Sequence, residues 1–338
     1  MKVTIFGLDL AKRVLQLHWV DMETGEICRR QLKRGQVLEF FANREPSMIA
    51  MEACGSAHYW ARKLAGLGHQ ARLIAAQFVR PFVKTNKTDA ADAQAIWEAV
   101  QRPGMKFVAV KSEAQQGVLM LHRMRAQLVK MRTMQTNQLR GLLYEFGADL
   151  PPGRQKGMEC IPGELHKLEA VLPAMVIETI RSQLKRIEVL HQEIAQIERR
   201  LATWKKDDSA AKRLMDIPGV GLLTATAAVA TIGEARAFKS GREFAAFVGL
   251  VPRQSGTGGR VKLLGISKRG DVYLRTLLIH GARAVLSHKK REPWLDQLLS
   301  RRPFNAVAVA LANKMARTIW ALLAHDRTYE KGYVAKAA

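Results

Sequence analysis

Three strand-like runs joined by short links, followed by alternating helix and strand patterns, restrict the first hundred residues more than any other feature of the chain. Residues 3–9 (Val-Thr-Ile-Phe-Gly-Leu-Asp) are β-branched and aromatic, and residues 14–20 repeat that character. A third run, 25–32, follows an Asp-Met-Glu-Thr-Gly turn. Links this short cannot carry a parallel crossover, so the three strands are expected to form an antiparallel meander. Beyond them the pattern predicts a helix over 37–43, a buried strand over 47–52, a helix over 56–67, a strand over 71–75 and a helix over 88–100. That succession builds a mixed α/β sheet covered on both faces.

Four acids take defined places in this plan. Asp9 ends the first strand and Glu52 the fourth, and strand ends of this kind form the ligand crevice of an open α/β sheet. Thr88 suits the N-cap of the last helix, and the alanines behind it favour helix. With Asp89 opening that helix, Asp92 falls one turn later on the same face. Neighbouring carboxylates raise each other's pKa unless positive charge lies between them. A helix N-terminus supplies part of that charge, and a divalent cation supplies more. Asp9, Glu52, Asp89 and Asp92 offer only oxygen, which suits Mg²⁺ or Mn²⁺ rather than zinc. Two such ions clamp the attacking and leaving oxygens of a phosphodiester reaction.

Charge points to the same kind of substrate. A formal net charge of +24 over 338 residues favours a polyanionic partner, above all nucleic acid, through phosphate neutralisation and counterion release. No apolar run is expected to reach membrane-spanning length, the N-terminus lacks a signal-peptide layout, and no polybasic tail or lipidation motif is present. Cys28, Cys54 and Cys160 fall in no metal-ligand spacing and read as reduced thiols. The expectation is a cytoplasmic protein with no membrane partner, acting at the bacterial nucleoid.

The order of elements resembles the ribonuclease H-like fold. The motifs Gly7-Leu8-Asp9-Leu10-Ala11-Lys12, Met51-Glu52-Ala53-Cys54-Gly55 and Lys87-Thr88-Asp89-Ala90-Ala91-Asp92 resemble the acidic motifs of one transposase family. These are insertion-sequence transposases with an N-terminal RuvC-like domain carrying an Asp-Glu-Asp-Asp set, related to Piv-type invertases. The resemblance is collinear and covers nearly the whole chain. It implies a recombinase guided by a non-coding bridge RNA from its own element, acting on donor and target DNA.

From 112 to 204 the pattern changes to long helices. Residues 119–146 are rich in Leu, Met, Arg and Gln, and Arg123, Arg125, Lys130, Arg132 and Arg140 are placed to follow a nucleic-acid backbone or to form a solvated face. Pro151-Pro152-Gly153 breaks the pattern. Ile180, Leu184, Ile187, Leu190, Ile194, Ile197, Leu201 and Trp204 then recur at three- and four-residue steps, the spacing of a coiled-coil seam. That seam suits packing on the preceding helix or on a second protomer. The resemblance favours the second, within a homo-oligomer (a dimer or tetramer).

Lys205-Lys206-Asp207-Asp208-Ser209 is a polar break. The expected division is a RuvC-like domain over 1–110, a helical coiled-coil region over 111–206 and a mostly α C-terminal transposase domain over 207–330. Residues 215–225 (Met-Asp-Ile-Pro-Gly-Val-Gly-Leu-Leu-Thr-Ala) read as a helix-hairpin-helix turn, in which Pro218 shapes the hairpin and Gly219 and Gly221 expose backbone N–H groups to a phosphate. Residues 244–271 then hold a glycine-dense loop with hydroxyls and cations, expected to cradle phosphate through Arg253, Gly258, Gly259, Arg260, Lys268 and Arg269. A helix starting near Tyr273 carries Arg275, His280 and Arg283. Residues 305–323 form an alanine-rich amphipathic helix, and the tail after Tyr329 is expected to be disordered.

In the family that the chain resembles, the loop holds a nucleophilic serine. Register makes Thr257 the first candidate, with Ser255 second by residue type, and a threonine hydroxyl is a chemically competent nucleophile. The implied reaction is attack of that hydroxyl on a DNA phosphodiester, a covalent protein–DNA link, and re-ligation by the hydroxyl of another strand. The acid set and the loop are expected to meet in a composite site, within one chain or across subunits. Two other readings fit the residues: a metal-dependent structure-selective nuclease of RuvC type using water, and a non-catalytic nucleic-acid-binding regulator.

Overall fold

The computed structural model describes residues 3–83 and 88–332, and its chain divides into two compact units, Met1–Ala114 and Gln115–Ala338. Lys87 of the third acidic motif lies outside the described residues, as does most of the tail expected to be disordered.

In the first unit the order is β1 (Ile5–Leu10), β2 (Val14–Val20), β3 (Ile27–Lys33), α1 (Val37–Ala42), β4 (Met48–Glu52), α2 (Ala57–Gly66), β5 (Gln70–Ile74), α3 (Ala76–Val79), α4 (Asp89–Val100) and β6 (Phe107–Val108). The sheet runs β3-β2-β1-β4-β5-β6. β1, β2 and β3 are antiparallel neighbours, β4 and β5 join β1 in parallel, and β6 closes the edge antiparallel to β5. The meander and the parallel continuation are therefore as expected from the short links. α3 and the two-residue β6 are additions that no periodicity announces. The mixed, helix-covered sheet is compatible with a ribonuclease H-like domain.

Side chains alternate across a strand, and each face has its own core. Phe6, Leu8, Leu15, Leu17, Ile49 and Met51 pack with α1 and α2 through Phe41, Trp60 and Leu64. Ala50 and Ile74 face the other way and pack with Ala95, Ile96 and Ala99 of α4. His18 stands on that second face with its ring 5.3 Å from that of Trp97.

The second unit contains α5 (Glu113–Tyr144), which begins just before the boundary, then α6 (Arg154–Leu168), α7 (Ala174–Asp207), α8 (Ser209–Leu214), α9 (Leu222–Ile232), α10 (Gly241–Val248), β7 (Pro252–Thr257), β8 (Arg260–Ile266), α11 (Val272–Ser287), α12 (Pro293–Leu299) and α13 (Phe304–Ala324). α5 and α7 run antiparallel side by side. Gln183 Nε2 donates to Gln135 O at 3.2 Å, Arg132 meets His191, and Arg125 pairs with Glu198 at 2.6 Å, so positions rise along α7 as they fall along α5. Much of the apolar seam of α7 packs inside this unit. Ile180 and Ile187 pack with Leu139, Leu143, Ile161 and Leu165 of α5 and α6, while Ile197 and Leu201 pack with Val118 and Ala230.

The helices from α8 onward surround a core of Leu214, Phe244, Leu274, Leu278, Leu311 and Ile319. α13 corrects one expectation. Its 21 residues are long and apolar enough to cross a membrane by length and composition, because alanine fills the positions between its larger apolar residues. Val307, Leu311, Met315, Ile319 and Leu322 along it are buried against this core.

Candidate active site

The acids come together on the α4 face of the sheet. β1 and β4 pair in parallel with Gly7 opposite Ala50 and Leu8 opposite Met51, so Asp9 and Glu52 follow at the same level. By the two-residue alternation both lie on the face of Ala50, beneath α4. α4 opens as its sequence suggests: the Thr88 hydroxyl accepts from Ala91 N at 3.2 Å, and Asp89 and Asp92 occupy the first turn. Gly7 sets the distance, since a Cβ there would stand 2.2 Å from the Ala93 carbonyl oxygen and 2.8 Å from Trp97. Only a residue without a side chain lets the helix lie this close.

The charges register this proximity. Asp9 has its pKa raised to about 6, first by burial and then by Asp92, Asp89 and Glu52 in that order, against a lowering hydrogen bond from the Leu10 backbone. The Cys54 thiol is also pushed up, by burial and then by Glu52 and Asp9. Asp89 is exposed while Asp92, Glu52 and Asp9 are half-buried. Among the described residues no three acidic, His or Cys side chains reach the spacing of ligands on one ion. The four carboxylates share one field, and their all-oxygen chemistry fits Mg²⁺ or Mn²⁺.

The glycine-dense segment departs from expectation: it is a two-stranded ribbon instead of a loop. β7 and β8 pair with Thr257 opposite Arg260, Gly256 opposite Val261, Ser255 opposite Lys262 and Gln254 opposite Leu263, with an irregularity at Arg253. Gly258 (φ 55°) and Gly259 (φ 79°) form the two-residue connection, where positive φ at both positions matches the twist of the strands. The two glycines are thus the turn of the ribbon. Pairing sorts its side chains, with Ser255, Thr257, Arg260 and Lys262 on one face and Gln254, Val261 and Leu263 on the other. Nearly the whole ribbon is exposed.

At the ribbon's base, Ser267 N donates to Val251 O at 2.8 Å and Lys268 N to Gly249 O at 3.2 Å. Lys268 sits at φ 55°, an uncommon conformation for a residue with a Cβ. Arg269 follows it and is exposed. The third candidate segment is the turn between α8 and α9. Pro218 is exposed there, Gly219 (φ 84°) presses its backbone on that of Gly281, and Gly221 N-caps α9.

Two family models match the chain. One described as "Transposase", of the Asp-Glu-Asp-Asp type, covers residues 6–147, and one described as "Transposase IS116/IS110/IS902 family" covers 211–298. A "Probable family 20 transposase" of Pseudomonas aeruginosa is 50% identical over 338 residues, spanning 98% of this chain and 100% of the relative. The "Transposase for insertion sequence element IS1328" of Yersinia enterocolitica is 40% identical, over 97% of this chain and 99% of its own length. The "Transposase for insertion sequence element IS1111A" of Coxiella burnetii is 41% identical, over 98% and 92%.

The chain belongs to the IS116/IS110/IS902 transposase family. The family segment 6–147 contains all four acids, and 211–298 contains both the α8–α9 turn and the ribbon.

Two features of this transposase-family chain escape sequence reasoning. Arg275, in the first turn of α11, is 7% exposed, and its Nη1 donates to Val248 O at 2.9 Å and to Arg269 O at 3.0 Å. It therefore ties together the segments entering and leaving the ribbon. His122 of α5 is 1% exposed, with Nδ1 3.0 Å from Tyr273 Oη and Nε2 3.0 Å from Thr226 Oγ1. Thr226 donates its own proton to Leu222 O at 2.7 Å. His122 must then donate from Nε2 and accept the Tyr273 proton at Nδ1. An isolated Arg or His in a helical sequence carries no signal of such roles.

Proposed function

We propose that this IS116/IS110/IS902-family chain is a DNA transposase that cuts and rejoins strands through a covalent hydroxyl–DNA intermediate. The observation that carries this reading is the gathering of Asp9, Glu52, Asp89 and Asp92 on one sheet face, within a family-matched segment. These four would hold Mg²⁺ (or Mn²⁺), which when bound polarises phosphodiester oxygens and stabilises the charge of the transition state.

A hydroxyl of the ribbon attacks phosphorus. Its oxygen forms the new P–O bond as the bond to the 3′ oxygen breaks, leaving a free 3′ hydroxyl and DNA linked to the protein. Register favours Thr257. Because both hydroxyls lie on one face of the ladder, reactivity decides, and the less crowded primary hydroxyl of Ser255 is the better nucleophile. Arg253, Arg260, Lys268 and Arg269 neutralise the phosphate. Pro218, Gly219, Gly221, Gly258 and Gly259 bring backbone close to the DNA strand. Attack by the 3′ hydroxyl of another strand then restores a phosphodiester and releases the protein hydroxyl, with no external energy source.

The proposal includes donor and target DNA, a non-coding guide RNA, a dimer or tetramer, and the division of the chain at about residues 110 and 206. A recombination assay with the element's flanking RNA tests it: Asp92→Asn should abolish strand exchange while DNA binding persists, and unchanged exchange would refute the role of the acids. The RuvC-type nuclease remains the second reading, favoured by the fact that the acid set alone would serve an attacking water.

A further inference from the structure

Three basic side chains, one from each of α5, α6 and α7, converge within the second unit. Arg132 Nη1 lies 3.4 Å and Arg154 Nη1 3.5 Å from the same atom, His191 Nδ1. A guanidinium can only donate, so the ring nitrogen accepts from both, and the imidazole carries its proton on Nε2. Two full positive charges thus share one neutral acceptor. Among the described residues neither arginine forms an ion pair. The carboxylate that acts on Arg132, Glu198, is already held by Arg125 at 2.6 Å. Arg132 Nε has no hydrogen-bond partner. Burial, then Arg154 and Arg125, push the Arg132 pKa down.

The convergence is held in place. Arg140 Nη2 donates to Leu150 O and Pro151 O, each at 3.0 Å, fixing the link that leads into α6. Gly157 leaves the space for it, since a Cβ there would stand 1.9 Å from Arg140 Nη1. Arg154 is the first residue of α6, so this anchor fixes the backbone that leads into it. Like charges held together lower stability unless an anion comes between them. The chemistry that relieves this pair is an oxyanion with several acceptor oxygens, because charge-assisted bonds to phosphate are about twice as strong as bonds to a neutral acceptor.

We propose that Arg132, Arg154 and His191 form a phosphate-binding site for a nucleic-acid backbone, made of none of the residues assigned above to strand exchange. Bound phosphate replaces His191 Nδ1 as the shared acceptor of the two Nη1 groups. The site reads no base, so it contributes affinity and register to DNA or RNA lying along the helical region. This inference rests on the reading of the chain as a nucleic-acid enzyme.

The test measures binding of a labelled DNA duplex and of a labelled structured RNA to the full chain over a range of salt. Wild type is compared with the Arg132→Gln/Arg154→Gln double variant, and thermal unfolding is followed with and without inorganic phosphate. For the nucleic acid that uses the site, the double variant should bind several-fold more weakly, with a salt slope smaller by about 1. Loss in the DNA arm, the RNA arm or both identifies the source. Phosphate should raise the Tm of wild type and not that of the variant, and without phosphate the variant should be at least as stable as wild type. Equal affinity and slope in both arms would overturn the site, as would a variant less stable than wild type without phosphate. Wild type that binds neither nucleic acid would overturn the functional reading along with it.

Discussion

Gly7 of β1 and Ala93 of α4 touch backbone to backbone: a Cβ at position 7 would stand 2.2 Å from the Ala93 carbonyl oxygen. Asp9 lies two residues beyond the first and Asp92 one residue before the second. The contact that packs the helix on the sheet is therefore also the one that brings the acids together. Gly7→Ala should move α4 off the strand, costing about 1–3 kcal/mol of stability as overpacking does. Strand exchange should fall further than the loss of folded protein explains. Chemical denaturation and activity measured on the same samples check this, and a Gly7→Ala protein of native stability and full activity would show that the close approach is dispensable.

Arg275 holds both ends of the ribbon by two hydrogen bonds from a buried cation. Arg275→Met removes the donor and leaves two carbonyls short, so a loss of about 2–3 kcal/mol is expected. Limited proteolysis should reach the ribbon's base sooner, and Arg275→Lys should recover part of the protection. If Arg275→Met is cleaved no faster than wild type, the clamp does not restrain the ribbon.

His122 predicts an acid sensitivity of the second unit. Burial first, and then the Arg125 charge, lower its pKa from 6.5 to about 4. Between those values the unfolded chain binds a proton that the folded chain refuses, so stability falls as pH falls. The contribution is complete above pH 6.5 and is lost toward pH 4, at most about 3 kcal/mol. Denaturation of wild type and His122→Gln over this range should give a shallower pH dependence for the variant; parallel curves would remove His122 as the cause.

The sequence made legible those parts whose residues report their surroundings directly. β2 matches its expected bounds because it alternates over a half-buried sheet, and α4 announces itself through the Thr88 cap and its alanines. The four acids stand out in the sequence because strand ends and a first helical turn are recognisable places. β7 and β8 were hidden for the converse reason: both faces of the ribbon meet solvent, so no apolar alternation marks it and only its glycines stand out. The Arg132–His191–Arg154 convergence was invisible because it depends on α5 and α7 lying antiparallel, a long-range pairing that the heptad spacing of α7 leaves open.

The most direct measurement is a denaturing gel of the full chain incubated with labelled DNA, flanking RNA and Mg²⁺. We predict that DNA remains covalently attached to wild type and to Thr257→Ala, and to neither Ser255→Ala nor Asp92→Asn. DNA cut by wild type with no attached product, or an adduct surviving in the Ser255→Ala/Thr257→Ala double variant, would contradict the account.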